Sequence, residues 1–147
     1  MIDYKKLLTE HGHWPLDKWN QFDFRHQDPG TNQEEEDRQI DLLRAQVAGK
    51  SGLYLYKKDG AYLYIGKGAP LFNRLKSHYR ESFRKVPGDT KNNKWHRFFS
   101  SNVGKVTIYW KEVSDETDRR IFELALTRIE DLNTIAFNNF DRDLKQT

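Results

Sequence analysis

Two tyrosines, an arginine and a histidine are spaced so that a small fold can bring them together. Tyr54 lies in "GLYLYKKDG" and Tyr64 in "AYLYIGKG", two runs that meet around Lys58-Asp59-Gly60. Asp-Gly between alternating aromatic runs is a strong hairpin signal. A hairpin sets both tyrosines near the middle of paired strands, where their phenols aim into one cleft. A phenol has an unperturbed pKa of about 10, and a neighbouring cation favours its anion. Arg74 and His78 follow, four residues apart in "LFNRLKSHYR". On a helix they stand about 40° apart, on one face. An arginine fork suits the non-bridging oxygens of a phosphate. A histidine can supply a proton or bind phosphate near neutral pH. Lys67 sits between the two groups and offers another phosphate contact. The plain alternative is packing and solubility, as for Tyr56 and Tyr62 on the strands and Lys76 and Arg80 on the helix.

Several elements must position these groups. The pattern predicts strands over 52–58 and 61–66, then a helix over about 69–85, with Pro70 in its first turn and Pro87-Gly88 ending it. "NNKWHRFFSSN" reads as a short helix. "KVTIYWKEV", 105–113, has the β-branched and aromatic content of a strand. Ser114 or Asp115 caps a last helix expected to reach about Asp131. Upstream, 3–9 reads as a short helix, and "HGHWPLDKWNQFDFRHQDPGTNQ" as an irregular arm whose aromatics dock on the rest. "EEEDRQIDLLRAQVAGKSG" reads as a helix with acidic residues at its positive end. Glu34 to Glu36 are read as that solvated start, not as a metal cluster. His11, His13 and His26 are expected on the surface. The fold class is α+β: a small three-stranded antiparallel sheet flanked by helices. An amino-terminal helical arm, 1–48, packs on a core domain, 49–147.

Composition narrows the classes. A chain of 147 residues suits one domain. The absence of cysteine excludes disulfides and thiolate metal sites and fits a reducing compartment. No apolar run approaches the ~20 residues of a membrane helix, and the amino terminus has no apolar signal core. The expectation is a soluble cytoplasmic protein that does not contact membranes. Net charge is +3, unevenly spread. Lys67 to Phe98 holds nine basic and two acidic residues, a net +7, which leaves −4 elsewhere. Such a patch is a footprint for a polyanion. Gly66-Lys67-Gly68 lacks the G-x-x-x-x-G-K-[ST] pattern, which excludes a nucleoside triphosphate cradle.

The triplets Gly52-Leu53-Tyr54 and Tyr64-Ile65-Gly66, nine residues apart, resemble the signature of the GIY-YIG nuclease family. Arg74 comes eight residues after Gly66, His78 one helical turn later, and "LN…FN" closes the pattern at Asn138. The likeness runs from about Ser51 to Asn138. It implies a divalent-metal-dependent endonuclease that hydrolyses DNA phosphodiesters with Mg2+ or Mn2+. By the resemblance Tyr54 is the general base or orients the water, and Tyr64 hydrogen-bonds the phosphate or the water. Arg74 and His78 stabilise the phosphoryl group, and Asn138 orients the cleft. The metal ligand is a glutamate on the last helix, seven residues before the "LN" position. Counting back from Leu132 gives Ala125; Glu123 is two residues earlier and Glu130 five later. An extended loop before Leu132-Asn133 would restore Glu123, the chosen ligand, with Glu130 as the alternative; Thr134-Ile135-Ala136, between "LN" and "FN", supports such a local insertion. Lys67, Lys76, Arg80, Arg84, Lys94, His96 and Arg97 form the expected DNA-contacting surface. The arm is a candidate for homodimerisation. The rivals are a nucleic-acid-binding module of the same fold without cleavage, and a structural α+β domain whose basic helix meets a protein.

Overall fold

The computed structural model describes residues 1–26, 33–83, 87–88 and 94–129. Arg84, Glu130, Asp131 and Asn138 lie outside the described residues. The order is α1 (Tyr4–Glu10), a 3-10 turn (Leu16–Lys18), β1 (Asn20–His26), α2 (Gln33–Val47), β2 (Gly52–Lys58), β3 (Ala61–Gly68), α3 (Leu71–Glu81), α4 (Lys94–Ser101), β4 (Gly104–Glu112) and α5 (Glu116–Thr127). Asp3 caps α1 by accepting from the Lys6 N–H at 3.1 Å. Asp115 caps α5 in the same way, accepting from the Asp118 N–H at 2.9 Å. Glu34, Glu35 and Glu36 occupy the first turn of α2, as expected.

The class is α+β, with one antiparallel sheet ordered β1-β4-β2-β3. The expected sheet had three strands; among the described residues it has four. The extra strand is β1, drawn from the segment read as an irregular arm, and it pairs with β4 along its whole length. Its residues alternate: Phe22 and Phe24 are buried, while Gln21, Asp23 and Arg25 are exposed. That period of two is the mark of a strand covered on one face. The hairpin β2–β3 turns on Asp59 (φ 51°) and Gly60 (φ 82°), both left-handed, which is what an Asp-Gly turn supplies. α3 is shorter than expected, with Pro70 as its N-cap, and α5 stops at Thr127 rather than near Asp131.

Both faces of the central strands are covered. Tyr54 and Tyr56 from β2, with Val106, Ile108 and Trp110 from β4, meet α2, α3 and α4. Leu53, Leu55, Ile65 and Tyr109 point the other way, against α1 and α5. Five consecutive residues of β2, Gly52 to Tyr56, are therefore buried. Gly52 is needed for a steric reason. A Cβ there would fall on the Lys111 carbonyl oxygen, well inside contact distance. β2 and β4 can pair this closely only where β2 has no side chain.

Candidate phosphoryl-transfer site

The Tyr54 side chain lies under the helical layer and is 1% exposed. Its hydroxyl is 3.3 Å from His78 Nδ1. β2 supplies the tyrosine and α3 the histidine. Gly66 makes room for the phenol: a Cβ on Gly66 would overlap the Tyr54 hydroxyl and the ring carbon that carries it. The glycine beside one strand tyrosine is thus the seat of the other. Tyr64 stacks against Tyr54, ring centroids 6.1 Å apart and planes 26° apart. Lys94, at the start of α4, donates from Nζ to the Tyr64 hydroxyl at 3.1 Å. Trp95 lies flat on His78, centroids 3.7 Å apart and planes at 14°. Such a stack fixes the imidazole plane and hence the direction of Nδ1.

Electrostatics set the protonation states. Burial pushes the Tyr54 phenol well above 10, and neighbouring Tyr64 and Tyr56 add to the effect. Arg74 pulls the other way, and Glu123 gives a small upward push. The expectation that nearby cations favour the phenolate fails here because burial outweighs Arg74. His78 is held well below 6.5 by burial, then by the charges of Arg74 and Lys94. A neutral ring with its proton on Nε2 leaves Nδ1 as an acceptor, so the Tyr54 hydroxyl donates to it. Arg74 is exposed on α3, at the rim of this buried pair.

Glu123 arrives from the opposite face of the sheet, on α5. It meets Lys67 at the edge strand β3, with Lys67 Nζ donating to Glu123 Oε1 at 3.3 Å. Glu123 does not pair with the nearby arginines of its own helix. Arg119 donates to the carbonyls of Val113 and Ser114, and Arg120 pairs with Glu116. Among the described residues no group of three or more histidines and carboxylates could hold a metal. A hard divalent cation would therefore take one carboxylate here, from Glu123, and complete its shell with phosphate and water oxygens. That carboxylate is held by the Lys67 ammonium, which a cation would have to displace or share.

The remaining expected residues divide. Lys94 was read as a surface DNA contact but is 6% exposed and turned onto Tyr64 and Trp95. His96 Nδ1 donates to the Ser82 carbonyl at 2.8 Å and ties α4 to the end of α3. Lys76 lies against the Phe72 ring, 5.0 Å to its centroid. Arg80 and Arg97 are exposed. His13, expected on the surface, is buried with its ring 4.5 Å from that of Phe122. Trp95 had no functional reading in the sequence. Its only signal was its place beside a lysine on a short aromatic helix. Among protein families, curated proteins and solved structures, no match to this chain is found.

Proposed function

We propose that the protein is a divalent-metal-dependent DNA endonuclease of the GIY-YIG type. One observation carries the reading. Tyr54 and His78, 24 residues apart, meet at 3.3 Å in the geometry of a proton relay, and the cation that acts most on His78 is Arg74. These are three of the four catalytic positions of the motif. The fourth, Tyr64, stacks on the first.

The chemistry follows from the protonation states. Phosphodiester hydrolysis forms a bond from a water oxygen to phosphorus and breaks the bond to one ester oxygen. Tyr54 is too basic as an anion to wait ionised at neutral pH. It acts as a neutral bridge: its oxygen accepts a proton from water while its own proton passes to His78 Nδ1. Arg74 reaches the non-bridging oxygens from the rim, where charge grows in the transition state. Tyr64, held by Lys94, donates to the phosphate. Glu123 would hold Mg2+ or Mn2+, which supplies charge neutralisation at the phosphate and the leaving oxygen. The Tyr54 hydroxyl is covered in the free protein, so the reading requires the rim side chains to rearrange on substrate binding. Hydrogen bonds of this kind commonly tighten only in the complex.

The basic stretch from Lys67 to Phe98 supports DNA as the polyanion. Nicking of supercoiled plasmid with Mg2+, abolished by chelator and by Tyr54→Phe, tests the reading. Salt-dependent DNA binding without nicking would instead favour the binding module. Dimerisation through the amino-terminal segment is a separate proposal, tested by sedimentation.

A further inference from the structure

We infer that Lys67 is a displaceable cation that occupies the metal ligand. It closes Glu123 in the free protein and releases it when a DNA phosphate arrives, so that metal entry follows DNA. The inference rests on the nuclease reading for its meaning, but its physical content stands apart.

Three observations carry it. Lys67 Nζ lies 3.3 Å from Glu123 Oε1. Any divalent cation taking that oxygen must displace the ammonium or share the carboxylate with it. The two ends of the pair differ in exposure: the Glu123 side chain is 26% exposed and that of Lys67 41%. The carboxylate is the more fixed member, on a helix with Phe122, Ala125 and Leu126 buried around it. The lysine is the more mobile one, a compact charge on a four-carbon stem. Finally, Lys67 lies on the edge strand β3 beside Gly66, and although its side chain leaves the face opposite the Tyr54 phenol, its partner Glu123 is close enough for its charge to act on that phenol. A phosphate drawn to the phenols therefore meets the pair around the free edge of β3. The ammonium can then exchange one anion for another without crossing an uncharged stage. A partly exposed ion pair is weak enough to be exchanged at modest cost, since such pairs contribute about 0.2–1 kcal/mol.

Lys67 is thus a positioning residue: it sets when Glu123 becomes free. A purely structural pair would make the opposite demand, because there the carboxylate needs its lysine for α5 to stay docked on β3.

The test needs no cleavage. DNA-free, isotope-labelled protein is titrated with Mn2+, and paramagnetic broadening of amide signals around residue 123 reports occupancy. Lys67→Met should bind about 1.4- to fivefold more tightly than the parent, the range that loss of one partly exposed ion pair allows. Lys67→Arg, whose fork holds a carboxylate better, should bind more weakly than the parent. Glu123→Gln should abolish the local broadening. Adding a short DNA duplex should strengthen Mn2+ binding more in the parent than in Lys67→Met, where nothing remains to be displaced. Equal Mn2+ affinity in parent, Met and Arg variants would overturn the inference, as would the absence of broadening near residue 123 in Lys67→Met. Thermal melts separate the structural alternative: a drop in Lys67→Met stability with unchanged Mn2+ affinity also overturns it. Plasmid nicking is scored separately. A parent that nicks while the affinity order fails loses only the lysine exchange. A parent that never nicks while the order holds loses only the nuclease.

Discussion

The hydroxyl of Tyr54 and Nδ1 of His78 lie 3.3 Å apart, fully enclosed, with the imidazole stacked on Trp95. Burial holds both groups in their neutral forms. The phenol is harder to ionise than usual and the imidazole harder to protonate. In the proposed relay each acts through the other, the phenol giving its proton as it receives one.

Tyr54→Phe tests that coupling. The ring still fits beneath Tyr64, but the imidazole acceptor loses its donor in a buried site. Cleavage should fall by about 10²–10⁴-fold, the usual range for a lost proton-transfer group. Stability should fall by about 1–3 kcal/mol, the cost of one buried unsatisfied polar atom. Denaturant melts beside plasmid assays measure both, and a variant that cleaves at the parental rate removes Tyr54 from the relay.

Acidity should act through the same imidazole. The folded pKa of His78 lies well below 6.5. Between that value and 6.5 the unfolded chain binds the extra proton and the folded chain does not. The stabilising contribution is therefore complete above about pH 6.5 and is lost as pH falls toward the folded pKa. His13, lowered mainly by burial, acts in the same direction. Melts between pH 7.5 and 4.5 should show declining stability, with a shallower decline in His78→Gln. The acid limb of the cleavage rate should also lie below pH 6.5. Arg74→Ala should move that limb upward, because Arg74 is one of the charges that depress His78.

The two motif glycines should fail differently. Gly52→Ala drives a methyl into the backbone of β4 at Lys111, which cannot move without breaking strand pairing. Gly66→Ala drives it into the end of the Tyr54 side chain. The first should cost roughly 4 kcal/mol or more, in the range that signals a broken structural rule. The second should cost less and should lengthen the Tyr54–His78 contact, abolishing cleavage in protein that remains folded. Equal melting temperatures for Gly52→Ala and the parent would contradict the close β2–β4 approach.

The elements that carry the candidate site were legible because their signals are local. The Asp-Gly turn fixes the hairpin, and the four-residue step from Arg74 to His78 fixes their shared helix. β1 was obscured because Phe22 and Phe24 alternate within a stretch crowded with turn-forming residues, and only pairing with β4 selects the strand. Lys94 and Trp95 could not be oriented from residue type, since a lysine between asparagines and a tryptophan reads as surface. The protonation of Tyr54 was misjudged for a related reason. Sequence shows the neighbouring cations but not the burial that outweighs them. Glu123 was chosen by counting back in the motif, whereas its contact with Lys67, 56 residues away, required the fold.

The most direct measurement is the conversion of supercoiled plasmid to nicked circles by the purified parent, Arg74→Ala and Glu123→Gln, each with Mg2+, Mn2+ or chelator. The parent should nick with either metal and be silent with chelator. Arg74→Ala should lose about 10²–10³-fold, as for one donor to a developing oxyanion, while keeping its melting temperature because its side chain is exposed. Glu123→Gln should bind DNA but not cleave it. A folded parent that binds plasmid yet leaves it supercoiled under every metal condition would contradict the nuclease assignment.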